Sequence, residues 1–167
     1  MRRLSIITAA AVATVLLGTA VHAQQPAPPP PPPAYGPPVT IEQAKKAVAA
    51  AVVEAKKTGY LYTFAVVDPS GDLVYFEKMD SAPTSSNEIG IGKARTAATF
   101  KRPSKAFFDQ MESGHPYVGQ LDPRIVASAG GIPLIIDGKI VGAIGVSGGA
   151  SGLMDAVAAQ AGVDTLK

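Results

Sequence analysis

The chain has 167 residues, with 15 Lys and Arg side chains against 13 Asp and Glu, and it contains no Cys and no Trp. This length fits a single domain, and 47% apolar with 17% charged residues is typical of a globular rather than a disordered protein. The lack of Cys excludes disulfides, Cys-based zinc sites, thiol nucleophiles and iron–sulfur clusters. Because only two His are present, we do not expect a metal site built from several histidines.

The first 23 residues predict a secretory signal peptide. Arg2 and Arg3 form a basic start, an apolar stretch follows over residues 4–17, and Ala23 ends a segment suited to cleavage. We therefore expect a periplasmic or secreted protein without stable membrane insertion. Cleavage after Ala23 leaves 13 basic and 13 acidic side chains, with His115 as the only histidine. A chain with this charge balance is not expected to attract nucleic acid.

Residues 24–38 predict a flexible, proline-rich tether between the signal peptide and a domain spanning residues 39–167. Nine prolines fall between residues 26 and 38, and proline fixes φ and donates no hydrogen bond, which favours an extended polyproline II conformation. Such a segment is typical of a semi-rigid spacer. A ligand for a proline-binding domain is the alternative.

Residues 40–79 predict a helix followed by a β-hairpin. Thr40 and Gln43 fit a capping box, apolar residues then recur at helical spacing, and Gly59 is expected to end the helix. Residues 60–67 are rich in β-branched and aromatic side chains, which indicates a strand. A strong turn signal over residues 68–71 leads into a returning strand over residues 72–79.

The sequence of the second half of the domain predicts further helices and a second β-hairpin. A helix of unusually small side chains is expected over residues 85–99, opened by a capping box of Ser85 and Glu88. A short helix begins at Pro103, a loop covers residues 113–123, and the Asp137-Gly138 turn joins strands over residues 132–136 and 139–147. An extra strand is expected around residues 124–128, and a last helix over residues 151–161, ended by Gly162. This order predicts an α+β domain in which helices cover an antiparallel sheet of about five strands.

Four segments of the domain carry a family resemblance. They read AVVDPSGDLV at residues 65–74, IGKARTA at 91–97, GGIPL at 130–134 and GAIGVSG at 142–148, followed by Asp155 in the last helix. In order and spacing they resemble the GlcG/HbpS family of haem-binding or haem-degrading proteins, also called DUF336. The resemblance implies a profilin-like layered fold, homo-oligomers that are often octamers, and haem binding in some members.

If haem is the cofactor, His115 is the first candidate for its iron ligand, because imidazole is the commonest axial ligand from proteins. It lies in the Gly- and Pro-containing loop, between Met111 and Tyr117, which could also bind iron. The alternatives are a surface histidine without a task and a methionine that belongs to the core.

A second set of candidate cofactor-binding residues lies on the helix over residues 85–99. Lys93 and Thr96 share one helix face, with Phe100 a turn further on. A cation suits the haem propionates and an aromatic ring suits the plane of the macrocycle. The alternatives are an exposed helix cation for Lys93 and a hydroxyl bonded to its own helix backbone for Thr96.

The sequence contains no self-sufficient catalytic constellation, so enzymatic activity stays uncertain and is disfavoured. We expect an exported protein that binds haem or a related tetrapyrrole, in haem storage, scavenging or protection against oxidative stress. The alternative is an oligomeric small-metabolite-binding or structural module without haem. Haem degradation is a third and weaker hypothesis.

Overall fold

The computed structural model describes residues 30–167. The predicted signal peptide and the first part of the predicted tether lie outside the described residues. None of the helices in residues 30–167 combines the length and the apolar character that a membrane span requires.

The described chain contains two pairs of strands, with one helix before the first pair, three helices between the pairs and one helix after the second. The order is α1 (Ile41–Lys56), β1 (Thr63–Val67), β2 (Leu73–Lys78), α2 (Ser85–Thr99), α3 (Lys105–Glu112), a 3₁₀ helix (Pro116–Gln120), β3 (Gly131–Ile136), β4 (Lys139–Ser147) and α4 (Gly152–Asp164). The two predicted hairpins are confirmed as β1–β2 and β3–β4.

The strands form one antiparallel sheet in the order β2-β1-β4-β3. The sheet has four strands in the described residues, so the prediction of about five was wrong. The missing strand is the one expected at residues 124–128. There, the Val126 amide donates to the Thr96 hydroxyl, and the Ser128 amide donates to the Val126 carbonyl. Backbone groups used in this way are not available for a strand ladder.

The two faces of the sheet carry different layers, which confirms the predicted layered α+β fold. Phe64 and Val66 of β1 point into a large core that includes the buried faces of α1 and α4. Ala65 and Val67 point the other way, into a smaller cluster with the alanines of α2. This division follows the alternation of side chains along a strand.

The small residues of α2 and β4 allow the helix backbone to lie directly on the sheet. A Cβ atom added at Gly145 would be 2.1 Å from the Gly90 carbonyl oxygen and 2.5 Å from the Ala94 nitrogen. Ala65 and Ala143 line the same contact. The small residues of β4 therefore serve the close packing of α2 on the sheet.

The local sequence predicts some ends of the helices correctly and others incorrectly. The capping box of Thr40 and Gln43 is confirmed, with both reciprocal hydrogen bonds formed. The box predicted for Ser85 and Glu88 was wrong, because Thr84 is the N-cap of α2 and its side chain makes no capping hydrogen bond. Gly162 does not end α4. A Cβ there would lie 2.7 Å from the Ala47 carbonyl oxygen, so this glycine lets α4 approach α1 closely.

Candidate functional site

A cleft of about 330 Å³ opens between α3 and the start of α4. Its walls are mainly apolar, and one cation and two hydroxyl side chains are among the lining residues. They are Lys105, Phe108, Ser128, Ala129, Ser151, Gly152 and Leu153. The volume lies at the lower end of the range for small-molecule sites, which are mostly apolar with a few polar groups. The cleft is therefore the first candidate for a binding site in the described part of the chain.

Helix α3 separates a buried aromatic side from an exposed one. Phe107 is fully buried, and its ring meets that of Phe100 edge-to-face, with centroids 4.9 Å apart. Phe108 is 46% exposed and lines the cleft, because adjacent helix residues point about 100° apart. Phe100, predicted to face a cofactor, thus packs against the buried side of α3 and is not among the residues that line the cleft.

Three of the predicted site residues lie in one exposed corner, where α3 passes into the 3₁₀ helix. Met111 is 37% exposed, and its sulfur lies next to Gly119. His115 is exposed, with its ring centroid 6.1 Å from that of Tyr117, which is 60% exposed. Met111 is consequently not part of the buried core. We call these three residues, Met111, His115 and Tyr117, the histidine corner.

The imidazole of His115 is lightly held. Its Nδ1 atom is 3.3 Å from the Ser113 hydroxyl, and the backbone amide of His115 donates to the Gln110 carbonyl at the end of α3. The backbone is therefore fixed to the helix while the ring faces solvent. An imidazole in this setting can act as a ligand without breaking a buried hydrogen bond.

The position of Lys93 agrees with neither of its two predicted roles, a partner of the haem propionates or an exposed helix cation. Its ammonium lies 2.6 Å from the Asp155 carboxylate and 3.3 Å from the Val146 carbonyl oxygen, and the side chains of Lys93 and Asp155 are only 2% and 5% exposed. The other oxygen of Asp155 accepts the amide of Gly149. Lys93 is therefore a buried ion-pair partner that joins α2 to β4 and α4.

Thr96 is also buried and fully engaged. Its hydroxyl donates to the Gly92 carbonyl at 2.8 Å and accepts the Val126 amide at 2.9 Å. The alternative in which Thr96 bonds to its own helix backbone agrees with these contacts. The hydroxyl also fixes the segment that follows the histidine corner.

Sequence reasoning missed the role of Asp155 and the whole cleft. Asp155 appeared only as part of the family resemblance, although an acidic residue in the first turn of a helix is itself a signal of favourable electrostatics. Lys105, which follows Lys101 and Arg102 in a local run of basic residues, is another such residue. It forms an exposed ion pair with Asp109 at 2.6 Å, one helical turn away, and it lines the cleft at the same time.

The loop before β3 contains an exposed ion pair that perturbs one carboxyl group. Arg124 donates to both carboxylate oxygens of Asp122, at 3.0 and 2.7 Å, and its backbone amide adds a bond of 2.8 Å. These hydrogen bonds lower the pKa of Asp122 from 3.8 to about 2. The pair stabilises a local turn within this loop. In residues 30–167, no group of three or more His, Asp or Glu side chains is placed to bind a metal ion.

The sequence of the domain matches a known protein family. The family described as "Haem degrading protein HbpS-like" matches residues 39–164. The chain belongs to this family, which confirms the resemblance of the sequence motifs.

Relatives and solved structures agree with this assignment. Protein GlcG of Escherichia coli K12 is 34% identical over 106 residues, covering 64% of this chain and 78% of GlcG. The crystal structure of a Streptomyces reticuli HbpS double mutant has a TM-score of 0.72 at 30% identity, covering 94% of this chain and 99% of that one. The crystal structure of a PduOC:heme complex has a TM-score of 0.71 at 25% identity, covering 78% and 96%.

Proposed function

We propose that this protein binds haem or a related tetrapyrrole on the exposed side of α3. The observation that carries the proposal is the exposed, lightly held imidazole of His115 at the end of a helix whose outer side lines an apolar cleft. Membership of the HbpS-like family and the likeness to a protein solved as a haem complex support the proposal.

The residues of this region fit the chemistry of haem. Phe108 and Leu153 offer exposed apolar surface to a macrocycle, and the ammonium of Lys105 suits a propionate. Phe108 and Met111 are three residues apart on α3, so they share a face that continues the apolar surface from the cleft along the helix. His115 would provide an imidazole ligand to the iron, which is the chemistry that bound haem would supply here.

Lys93, Thr96 and Phe100 stand outside the proposed site. The ammonium of Lys93 and the hydroxyl of Thr96 already have buried partners. Diverting either group to a ligand would leave a buried polar partner unsatisfied, which costs about 1–3 kcal/mol for a neutral group and more for a charged one. Phe100 is already packed on Phe107.

The predicted signal peptide and the exposed side of α4 support a role outside the cytoplasm and a homo-oligomer. The signal peptide that the sequence predicts over residues 1–23 supports a role in haem storage, scavenging or oxidative-stress protection outside the cytoplasm. Leu153 and Val157 are 61% and 59% exposed on the outer side of α4. One helical turn separates them, and this apolar side supports a homo-oligomer.

A small-metabolite-binding module is the second candidate. The cleft volume of about 330 Å³ favours it, because that size suits a small ligand with an apolar body and one anionic group beside Lys105. Haem degradation is a third and weaker candidate, supported by the description of the family.

Titration of the purified protein with hemin tests the proposal. We expect a Soret shift that saturates at a defined stoichiometry, and a shift that never saturates would overturn haem binding. Decay of the Soret band under peroxide or reductant, compared with free hemin, tests degradation in the same sample.

The iron ligand is tested by comparing His115→Ala with Ser113→Ala. The first variant removes the imidazole, so the ferric spectrum should change and the affinity for hemin should fall. The second removes only the neighbouring hydroxyl and should keep the spectrum of the unchanged protein. Identical spectra for His115→Ala and the unchanged protein would remove His115 from the site.

A further inference from the structure

Residues 34–39, the end of the proline-rich segment, lie along β4 beyond the point where β1 stops. The last pairing of β1 with β4 joins Val67 to Ala143. Beyond it, the Gly36 amide donates to the Ile140 carbonyl at 2.8 Å, the Ile140 amide donates to the Ala34 carbonyl at 2.9 Å, and the Val39 amide donates to the Val141 carbonyl at 2.7 Å. We call residues 34–39 the strap, because they take the place on β4 that β1 leaves open.

Tyr35 connects the strap to the end of α2. Its hydroxyl lies 3.0 Å from the Ala98 carbonyl oxygen and 3.1 Å from that of Thr99. Carbonyls in the last turn of a helix lack partners within the helix. The Ala98 carbonyl also accepts the Lys101 amide at 3.4 Å, so the Tyr35 hydroxyl adds a further hydrogen bond at this helix end. The ammonium of Lys101 lies 4.1 Å from the centre of the Tyr35 ring, which adds a cation–π contact.

The residues that Tyr35 contacts at the end of α2 lead directly into α3. Phe100 follows α2 and packs edge-to-face on Phe107, while the guanidinium of Arg102 lies 4.3 Å from the centre of the same Phe107 ring. Phe107 is the buried anchor of α3. The neighbouring Phe108 and Lys105 line the cleft.

We propose that the strap is a positioning element for the candidate site, and that Tyr35 is its positioning residue. By holding residues 98–102, Tyr35 fixes the surface on which α3 packs, and therefore the orientation of the cleft wall. The strap lies almost entirely outside residues 39–164, which match the family. The effect on ligand binding rests on the proposed function, whereas the effect on α3 does not.

Amide hydrogen exchange without any ligand tests the first step. The full chain is compared with Tyr35→Phe, which removes only the hydroxyl, and with Tyr35→Ala, which also removes the ring. Loss of one hydrogen bond, at about 1 kcal/mol, predicts roughly fivefold faster local exchange for Tyr35→Phe in residues 98–112, with a larger increase for Tyr35→Ala. Exchange in β1 and in residues 143–147 of β4, which pair with β1, should stay the same.

Tyr60→Phe is the matched control. Tyr60 is 46% exposed, and within the described residues its hydroxyl makes no hydrogen bond, so removing it should leave residues 98–112 unchanged. Unchanged exchange there in Tyr35→Ala would overturn the strap proposal. A uniform increase over the whole domain would overturn it too, because that pattern indicates a general loss of stability.

Hemin titration of the same variants tests the second step. Tyr35→Ala should weaken hemin binding several-fold, and Tyr60→Phe should not. If the unchanged protein shows no saturable binding, the proposed function fails, while the exchange result still decides the strap. If the unchanged protein binds hemin and Tyr35→Ala binds it equally well, the strap does not position the site.

Discussion

The two regions that contain the predicted site residues are built in opposite ways. The α2 region is packed backbone-to-backbone on the sheet, and its polar side chains, Lys93 and Thr96, have buried partners. The histidine corner is exposed, and within residues 30–167 the imidazole of His115 has one hydrogen-bond partner, the Ser113 hydroxyl at 3.3 Å. The chemical type of a side chain indicates which ligand it could bind, whereas its existing partners decide whether it is free to bind that ligand.

The largest expected effect lies in the contact between α2 and β4. Gly145→Val places a side chain where a single Cβ would already be 2.1 Å from the Gly90 carbonyl, so we expect a loss of more than about 4 kcal/mol in the free energy of unfolding. Urea unfolding followed by circular dichroism measures it.

Gly119→Ala is the control in the other region. Its added Cβ would meet the sulfur of the exposed, flexible Met111 at 3.2 Å, so the change in stability should stay within about 1 kcal/mol. Equal stability of Gly145→Val and Gly119→Ala would break the distinction between the two regions.

The next effect concerns the buried ion pair. Lys93→Met leaves the carboxylate of Asp155 buried without its cation, which should cost about 3–5 kcal/mol. Lys105→Met removes the exposed partner of Asp109 and should cost less than about 1 kcal/mol. Denaturant unfolding measures the free energy of unfolding of both variants.

The double variant Lys93→Met with Asp155→Leu separates charge from packing. Replacing both charges with apolar side chains should restore most of the stability lost in Lys93→Met. If the double variant is less stable than the single one, the pair contributes more through its hydrogen bonds to Val146 and Gly149 than through charge balance.

The smallest effect is the acid titration of Asp122. Its folded-state pKa of about 2 lies below the ordinary 3.8, so the Asp122–Arg124 pair contributes stability above that ordinary value, and the contribution is lost as pH falls toward 2. Titration of the carboxyl carbon by NMR should show the low pKa. Arg124→Ala should raise the pKa part of the way toward its ordinary value, because the side-chain bonds are lost while the backbone amide of residue 124 still donates. An unshifted titration in the unchanged protein would contradict the assignment.

Much of the fold could be predicted because its signals are local. The capping box of Thr40 and Gln43 involves residues three apart, and both hairpins have their turn residues between two apolar runs. The corrections concern features decided by distant contacts. Gly162 continues a helix because Ala47 lies against it, and residues 124–128 bond to Thr96 instead of joining the sheet.

The candidate site was predictable in part for the same reason. The loop character around His115 follows from nearby Gly114 and Pro116, and the exposure of His115 agrees with it. The partner of Lys93 is 62 residues away, and the cleft combines α3, residues before β3 and the start of α4. No local pattern brings those segments together, because their proximity results from the packing of α2 and α4 around β4.

Pro133 has a consequence for how the sheet can grow. It lies within β3, at one edge of the sheet, and proline has no amide hydrogen to give to a further strand. The opposite edge, β2, contains no proline, but its pairing with β1 shifts at Val74, because Val66 pairs with Tyr75 and Val67 pairs with Leu73. Both edges of the sheet are therefore interrupted as templates for another extended chain, β3 by a missing donor and β2 by a bulge that twists the strand.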